Sequence, residues 1–261
     1  MQRRIAQTLA ANIGQADYLT TSELAELAGV SQPSVVRFAA ALGYSGYGEL
    51  RKALRELGTQ APPTPGPSGL NKLQIALKEE IANLTWLESW LSDPSYLNQI
   101  GAILATSHPI VVVGLRASQA LARYFAFYVR KVHPGVVLID EAGSSAMDVL
   151  HEAHHAGASA MLVVAMPRWP RELLPLLAAG HELDLTIVGM TDQAGSPIVA
   201  EVDHPVTVPV GTTLLYDTHA GALMALSLLV EVIADSDPAV AEPSMEAFEA
   251  RASTYQYFLR S

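Results

Sequence analysis

From residue 109 onward, short runs of branched apolar residues alternate with longer stretches of helical periodicity, and this alternation leaves few folds open. Residues 110–113, 136–139, 160–165 and 185–189 are four such runs, and 206–209 is a shorter fifth, ended by Pro209. Helical patterns fill 118–132, 144–156 and a stretch near 172–179. Runs apolar on both faces, separated by helices, predict a doubly wound parallel sheet covered on both sides. Ligands of such α/β sheets sit beyond the carboxyl ends of the strands, near helix N-termini.

The first sixty residues follow another pattern. Thr20 is placed to cap a helix, with Glu23 completing a capping box. Leu24, Leu27 and Ala28 recur at helical spacing, and Gly29 stands where the chain must reverse with positive φ. Ser31 is placed to cap a second helix whose first turn holds Gln32 and Pro33. Val35, Val36, Phe38, Ala39 and Leu42 supply its apolar side, which leaves Gln32, Ser34 and Arg37 on the outer N-terminal side. Two short helices joined by a glycine turn are the layout of a helix-turn-helix DNA reader. Thr21, Ser31, Gln32, Ser34 and Arg37 are its candidate contacts to base edges and phosphates. A basic helix with Arg51, Lys52 and Arg55 follows, beside Tyr44, Tyr47 and three glycines. Tyr47, Arg51 and Lys52 are candidate phosphate contacts, with a solvated helix face as the alternative.

Charge is divided between these regions. The net charge is −10, but residues 1–60 hold six basic against five acidic side chains, and the remaining residues ten against twenty-one. An acidic body repels a polyanion, so contact with double-stranded DNA falls to the head. A head so weakly basic binds poorly as one copy, and paired heads on an oligomer gain through effective concentration. The chain has no cysteine, which removes disulfides and cysteine-based metal or nucleophile chemistry and fits a reducing cytoplasm. No signal-like apolar run follows residues 1–7.

Three domains of sequence are expected: a helical head over 1–58, a proline-rich linker over 59–69, and an α/β body over 70–261 with its core at about 100–236. An opening helix is expected over 3–13. A long helix carries the stripe Leu70, Leu73, Leu77, Ile81, Leu84, Leu87 and Leu91, which either covers the sheet or pairs with a twin. A shorter helix near 96–104 leads into the first strand. Residues 214–234 are apolar, but Asp217, His219 and Glu231 interrupt them, so they predict a helix buried between subunits rather than a membrane span. A last helix is expected over 243–258.

Two halves of this kind, with these residues, resemble the RpiR family of bacterial transcriptional regulators. The resemblance is carried in the head by residues 23–31, by Ser34, Val35, Val36, Arg37 and Phe38, and by the leucine-glycine-tyrosine of 42–44 with Ser45, Gly46 and Tyr47. It implies a sugar-isomerase (SIS) body and DNA binding as a homodimer or homotetramer. It also implies a small anionic effector, usually a phosphorylated sugar or sugar acid, that changes operator affinity. By position it places Gly114, Arg116 and Ser118 in a first phosphate-cradling turn, where the family often has a second glycine in place of Arg116. It places Thr191 and Ser196 in a turn after the fourth strand, and brings His219 toward a neighbouring subunit's pocket, with a partly buried histidine at an interface as the alternative. After the third strand the family's serine- and threonine-rich loop is replaced by Met166, Pro167, Arg168, Trp169, Pro170 and Arg171. Arg168 and Arg171 offer forked donors to a carboxylate or phosphate, or pair surface acids.

Other constellations are weaker. His151 and His155 share a helix face, but no third ligand is near in sequence, so no metal is expected. The further glycines of a dinucleotide fingerprint, a phosphate-loop lysine and a nucleophile elbow are all missing. No cofactor is expected. The rival to a regulator is a sugar-phosphate isomerase with an accessory helical domain, with Glu141, His219 and Glu231 as possible bases. A third reading is a binding module whose head meets protein rather than DNA.

Overall fold

Five parallel strands form one sheet: β1 (Ile110–Gly114), β2 (Val136–Ile139), β3 (Ala160–Val164), β4 (Thr186–Thr191) and β5 (His204–Thr207), in the order β2-β1-β3-β4-β5. The structure, a computed structural model, describes residues 2–11, 19–58 and 70–259. Its helices are α1 (Gln2–Ala11), α2 (Thr21–Leu27), α3 (Gln32–Ala41), α4 (Tyr47–Gly58), α5 (Lys72–Trp90), α6 (Ser95–Ala105), α7 (Gln119–Val132), α8 (Ser144–His155), α9 (Leu173–Glu182), α10 (Ala220–Ser236) and α11 (Pro238–Thr254). They divide into two compact units, Met1–Leu77 with Thr212–Leu215, and Lys78–Gly211 with Tyr216–Ser261. The expected linker over 59–69 lies outside the described residues.

Strand alternation decides what each side of the sheet packs against. Val112, Leu162, Val188 and Val206 turn to a layer containing Leu104, Phe125, Leu226 and Leu229, from α6, α7 and α10. Val111, Val113, Met161, Val163 and Ile187 turn to the other, containing Leu150, Leu173 and Leu177, from α8 and α9. β1 and β3 are buried at every position, which is why they read as unbroken apolar runs. The strand order reverses direction between β1 and β3, the crevice where open α/β sheets hold ligands.

The smaller unit is helical. Ile5, Leu9, Leu24, Ala25, Val35, Phe38, Ala39, Tyr47 and Leu50 form its core.

Several expectations shift. The long apolar helix begins at Ala220, not 214, because Gly211 and Thr218 pair as an antiparallel bridge and hold the intervening chain out of helix. β5 lies two residues earlier than expected, with Pro205 inside it at the sheet edge, where no ladder donor is needed. The last helix starts at Pro238 and runs through Pro243 to Thr254. The opening helix ends at Ala11, and residue 13 lies outside the described residues. On α5, Leu73, Leu77, Ile81 and Leu84 are exposed, and of the stripe only Leu87 is buried, so this stripe is not laid on the sheet as a whole. Among the described residues no helix is long and apolar enough to cross a membrane, and no metal-ligating group of three gathers; His151 and His155 are exposed.

Candidate nucleic-acid and effector sites

The head builds its outer face from two capped helices. Thr20 Oγ1 accepts from the Glu23 amide at 3.2 Å, and the Glu23 carboxylate accepts from the Thr20 amide at 2.8 Å, so the capping box satisfies two donors at once. Gly29 reverses the chain at φ +60°, in the left-handed region where a side chain is disfavoured. Helix α3 then buries Val35, Phe38 and Ala39 and presents Gln32, Pro33, Val36, Arg37 and Ala40 to solvent. Gln32 Nε2 donates to Ser22 Oγ at 3.1 Å, tying α3 to α2 on the exposed side.

Four head expectations change in detail. Ser31 occupies the cap position of α3 but makes no capping hydrogen bond, because its hydroxyl pairs with Ser34 Oγ at 2.9 Å. Ser34 is buried rather than outward, and accepts from Arg37 Nη2 at 3.2 Å. It therefore braces the arginine instead of presenting a free hydroxyl. Tyr47 is sunk in the head's core, since the Tyr44-Ser45-Gly46-Tyr47 segment ends by turning its second ring inward at the start of α4. Leu27, Val36 and Leu42, read as core from their spacing, are exposed. Helices of seven and ten residues bury a narrow stripe, and these three lie off it. Thr21 and Arg51 are half-buried and Lys52 is exposed. Hydrogen bonds to the Glu49 carboxylate from the Ser45 hydroxyl and then from the Ser45 amide, the latter at 2.6 Å, together with the Lys52 charge, hold its pKa below the ordinary value.

In the body, the ends of β1, β3 and β4 converge. Gly114 closes β1, and a Cβ there would meet Ala122 Cβ at 2.5 Å and Ser118 O at 2.7 Å. The missing side chain lets the start of α7 pack onto the strand end. Arg116 follows at φ +55°, a left-handed conformation that glycine adopts without strain. Arg116→Gly is expected to raise the thermal midpoint by relieving about 1 kcal/mol of strain. A lower midpoint would mean that the arginine side chain outweighs its backbone cost.

Ser118 occupies the position from which a hydroxyl could make a capping bond to α7. It makes no such bond; its hydroxyl donates to the Met166 carbonyl and accepts from the Met166 amide, both at 3.1 Å. The loop after β3 is therefore fastened to the turn after β1. Gln119 Nε2 donates to Asp140 O at 3.1 Å, fastening the same turn to the end of β2. Arg168 and Arg171 stand exposed on the loop after β3. Arg116 and Glu172 approach to 4.0 Å, an exposed pair worth little in water.

Trp169 donates from Nε1 to Thr191 Oγ1 at 3.2 Å, and Thr191 donates to Asp192 Oδ1 at 3.3 Å. Thr191 is fully buried. Ser196 is buried too and accepts from the Ile198 amide, capping the short 3-10 turn Pro197–Glu201. His219 precedes α10, half-buried. The hydroxyls of Ser118, Thr191 and Ser196 thus shape the loops, and Arg116, Arg168 and Arg171 hold the exposed positive charge. Glu141 and Glu231, the possible bases of an isomerase, are exposed.

Asp192 was not singled out by the sequence. Burial pushes its carboxyl up to about 6, aided by the nearby Asp217 charge. The native state therefore favours the neutral acid. Its contribution to stability is complete below the ordinary carboxylate range and is lost as pH rises through about 6. Asp192→Asn is expected to raise the thermal midpoint at pH 8 and to change it little at pH 4.5. An equal shift at both pH values would remove Asp192 titration as the cause.

These two constructions match known families region by region. The helix-turn-helix model of the rpiR family matches residues 1–60, and the SIS domain model matches residues 103–232. The chain joins an rpiR-family helix-turn-helix domain to a SIS domain. Among RpiR-type relatives, an uncharacterised HTH-type transcriptional regulator YfhH of Escherichia coli K12 is 29% identical over 139 residues, 50% of this chain and 49% of that protein. The HTH-type transcriptional regulator HexR of Pseudomonas aeruginosa is 27% identical over 210 residues, 76% of this chain and 70% of HexR. The chain thus spans about half the length of the first relative and somewhat over two thirds of the second. Vibrio vulnificus NanR, solved in complex with ManNAc-6P, shares the fold at a TM-score of 0.63 and 18% identity, over 97% of this chain and 93% of that one.

Proposed function

We propose that the protein is a DNA-binding transcriptional regulator whose SIS body binds a small anionic effector, a sugar phosphate, sugar acid or similar, that modulates operator binding. The observation that carries this reading is the exposed face of α3, where Gln32, Val36 and Arg37 stand outward over a packed core. Such a face offers amide and guanidinium donors to base edges and an apolar contact to a thymine methyl. Arg51 and Lys52 contribute phosphate contacts, and binding therefore falls steeply with salt.

On the body, Arg116, Arg168 and Arg171 grip the anion beside the start of α7, whose unsatisfied amides favour negative charge. Gly114 and Ser118 position that turn, Thr191 and Ser196 the opposite loop, and His219 the third side. NanR, complexed with ManNAc-6P, lends support to the effector class. The chain acts as a homodimer or homotetramer in the cytoplasm, without catalysing a reaction of its own, and its paired heads read half-sites about one DNA turn apart.

The test is a fluorescence-anisotropy titration of the full chain against duplexes selected from a random pool, at several salt concentrations, with and without a panel of sugar phosphates and sugar acids. A selected motif with a steep salt slope, shifted at least severalfold by one panel member, is the expected result. Enrichment of no duplex would sink the DNA half of the reading, and aldose–ketose turnover of any panel member would sink its non-enzymatic half.

A further inference from the structure

Among the described residues, three buried side-chain atoms have no hydrogen-bond partner: Glu80 Oε2, Asn83 Nδ2 and His219 Nε2. They belong to one neighbourhood. Glu80 and Asn83 lie three apart on α5 and so share a face. Glu80 is 9% exposed, deep for a carboxylate. Its other oxygen, Oε1, accepts from the Gly211 amide at 3.2 Å and from the Thr218 hydroxyl. Gly211 and Thr218 exchange two backbone hydrogen bonds, at 3.1 and 2.8 Å. His219 is the next residue, at the start of α10. A Cβ on Gly221 would lie 3.9 Å from Asn83 Cβ, so the same face of α5 meets the first turn of α10.

The chemistry of the three atoms is specific. A carboxylate oxygen only accepts and an amide nitrogen only donates, while imidazole Nε2 does either according to its tautomer. Each such atom buried without a partner is left with its desolvation uncompensated. A bound anion meets the Glu80 charge, and a bound cation meets the Asn83 donor. A hydroxyl suits each of the three, donating to Glu80, accepting from Asn83 and doing either with His219.

We propose that Glu80, Asn83 and His219 form a polyol subsite, which recognises neighbouring hydroxyls of the effector while the arginine loops hold its anionic end. The proposal rests on the effector-binding reading above and narrows it to a ligand that carries both an acid group and a hydroxylated chain. Continuity with the anion end comes through Asp217, two residues before His219, whose charge acts on Asp192 at the end of β4. A site built to hydrogen-bond hydroxyls rejects analogues lacking them, because its own buried groups are then left unpaired.

Calorimetric titration of the full chain with inorganic phosphate, glycerol 3-phosphate, glucose 6-phosphate and 6-phosphogluconate tests this, on wild type, Glu80→Gln and Asn83→Leu. Glu80→Gln keeps an oxygen for Gly211 and Thr218 but replaces the unpartnered acceptor by a donor. Asn83→Leu removes the donor without touching that bridge, so a folding failure of one variant leaves the other decisive. At least one polyol phosphate should bind wild type about tenfold or more tighter than phosphate, and this advantage should vanish in the variants while phosphate binding persists. An advantage that survives in a folded variant, or phosphate bound as tightly as every polyol phosphate, overturns the subsite and leaves the anion reading intact. Binding of none of the four overturns both.

Discussion

Replacing Arg37 by alanine should weaken binding to a selected duplex by at least tenfold while leaving the fold unchanged. Arg37 is exposed on α3, and one of its terminal nitrogens is braced by Ser34, so its remaining donors are held outward rather than free to wander. A well-placed guanidinium on a base pair is worth about 1–3 kcal/mol, between about fivefold and 150-fold in affinity. In an oligomer using two heads the loss is incurred at each half-site. An exposed substitution away from the core typically moves stability by no more than about 0.5 kcal/mol. Anisotropy titration and a melting curve measure the two quantities separately. Unchanged affinity at matched salt would take Arg37 out of the interface; a large fall in melting temperature would make the result a folding effect.

Gly114→Ala is the second large effect, and it acts on the body. The added Cβ would stand 2.5 Å from Ala122 Cβ and 2.7 Å from a backbone oxygen of Ser118, neither of which is the tip of a flexible side chain. Relief requires α7 to move off the end of β1. Overpacking of this kind costs about 1–3 kcal/mol, a fall of several degrees in melting temperature for a domain of this size. The movement also carries Ser118, and with it the Met166 loop, so anion affinity should fall in the same variant. A melting temperature within one degree of wild type, with anion affinity retained, would show that the turn absorbs the methyl group.

The body's layout was legible because β1, β3 and β4 are buried on both faces and their residues declare it. The boundaries near residues 204–220 were not, since the Gly211–Thr218 bridge is a pairing across a loop and leaves no local period. Pro243 was read as a helix start, yet α11 is already under way from Pro238. In the head, the capping box and the glycine turn were both readable from spacing and both form. The exposure of Val36 and the burial of Ser34 and Tyr47 were not, because they depend on how three short helices meet. Site residues that sequence reasoning passed over have partners far along the chain: Glu80 meets Thr218 across 138 positions. Asp192 owes its shifted titration to burial, which no motif records.

The split between outward and inward residues on α3 has an evolutionary consequence. Gln32 and Val36 have no part in the head's apolar core, so, under the DNA-reading function proposed above, mutation there changes which duplex is preferred at almost no folding cost. Ser34 enjoys no such freedom, because the same side chain is packed inside and steadies the arginine above it. Duplicated copies of this regulator should therefore diverge first at positions 32 and 36, and change position 34 only together with position 37.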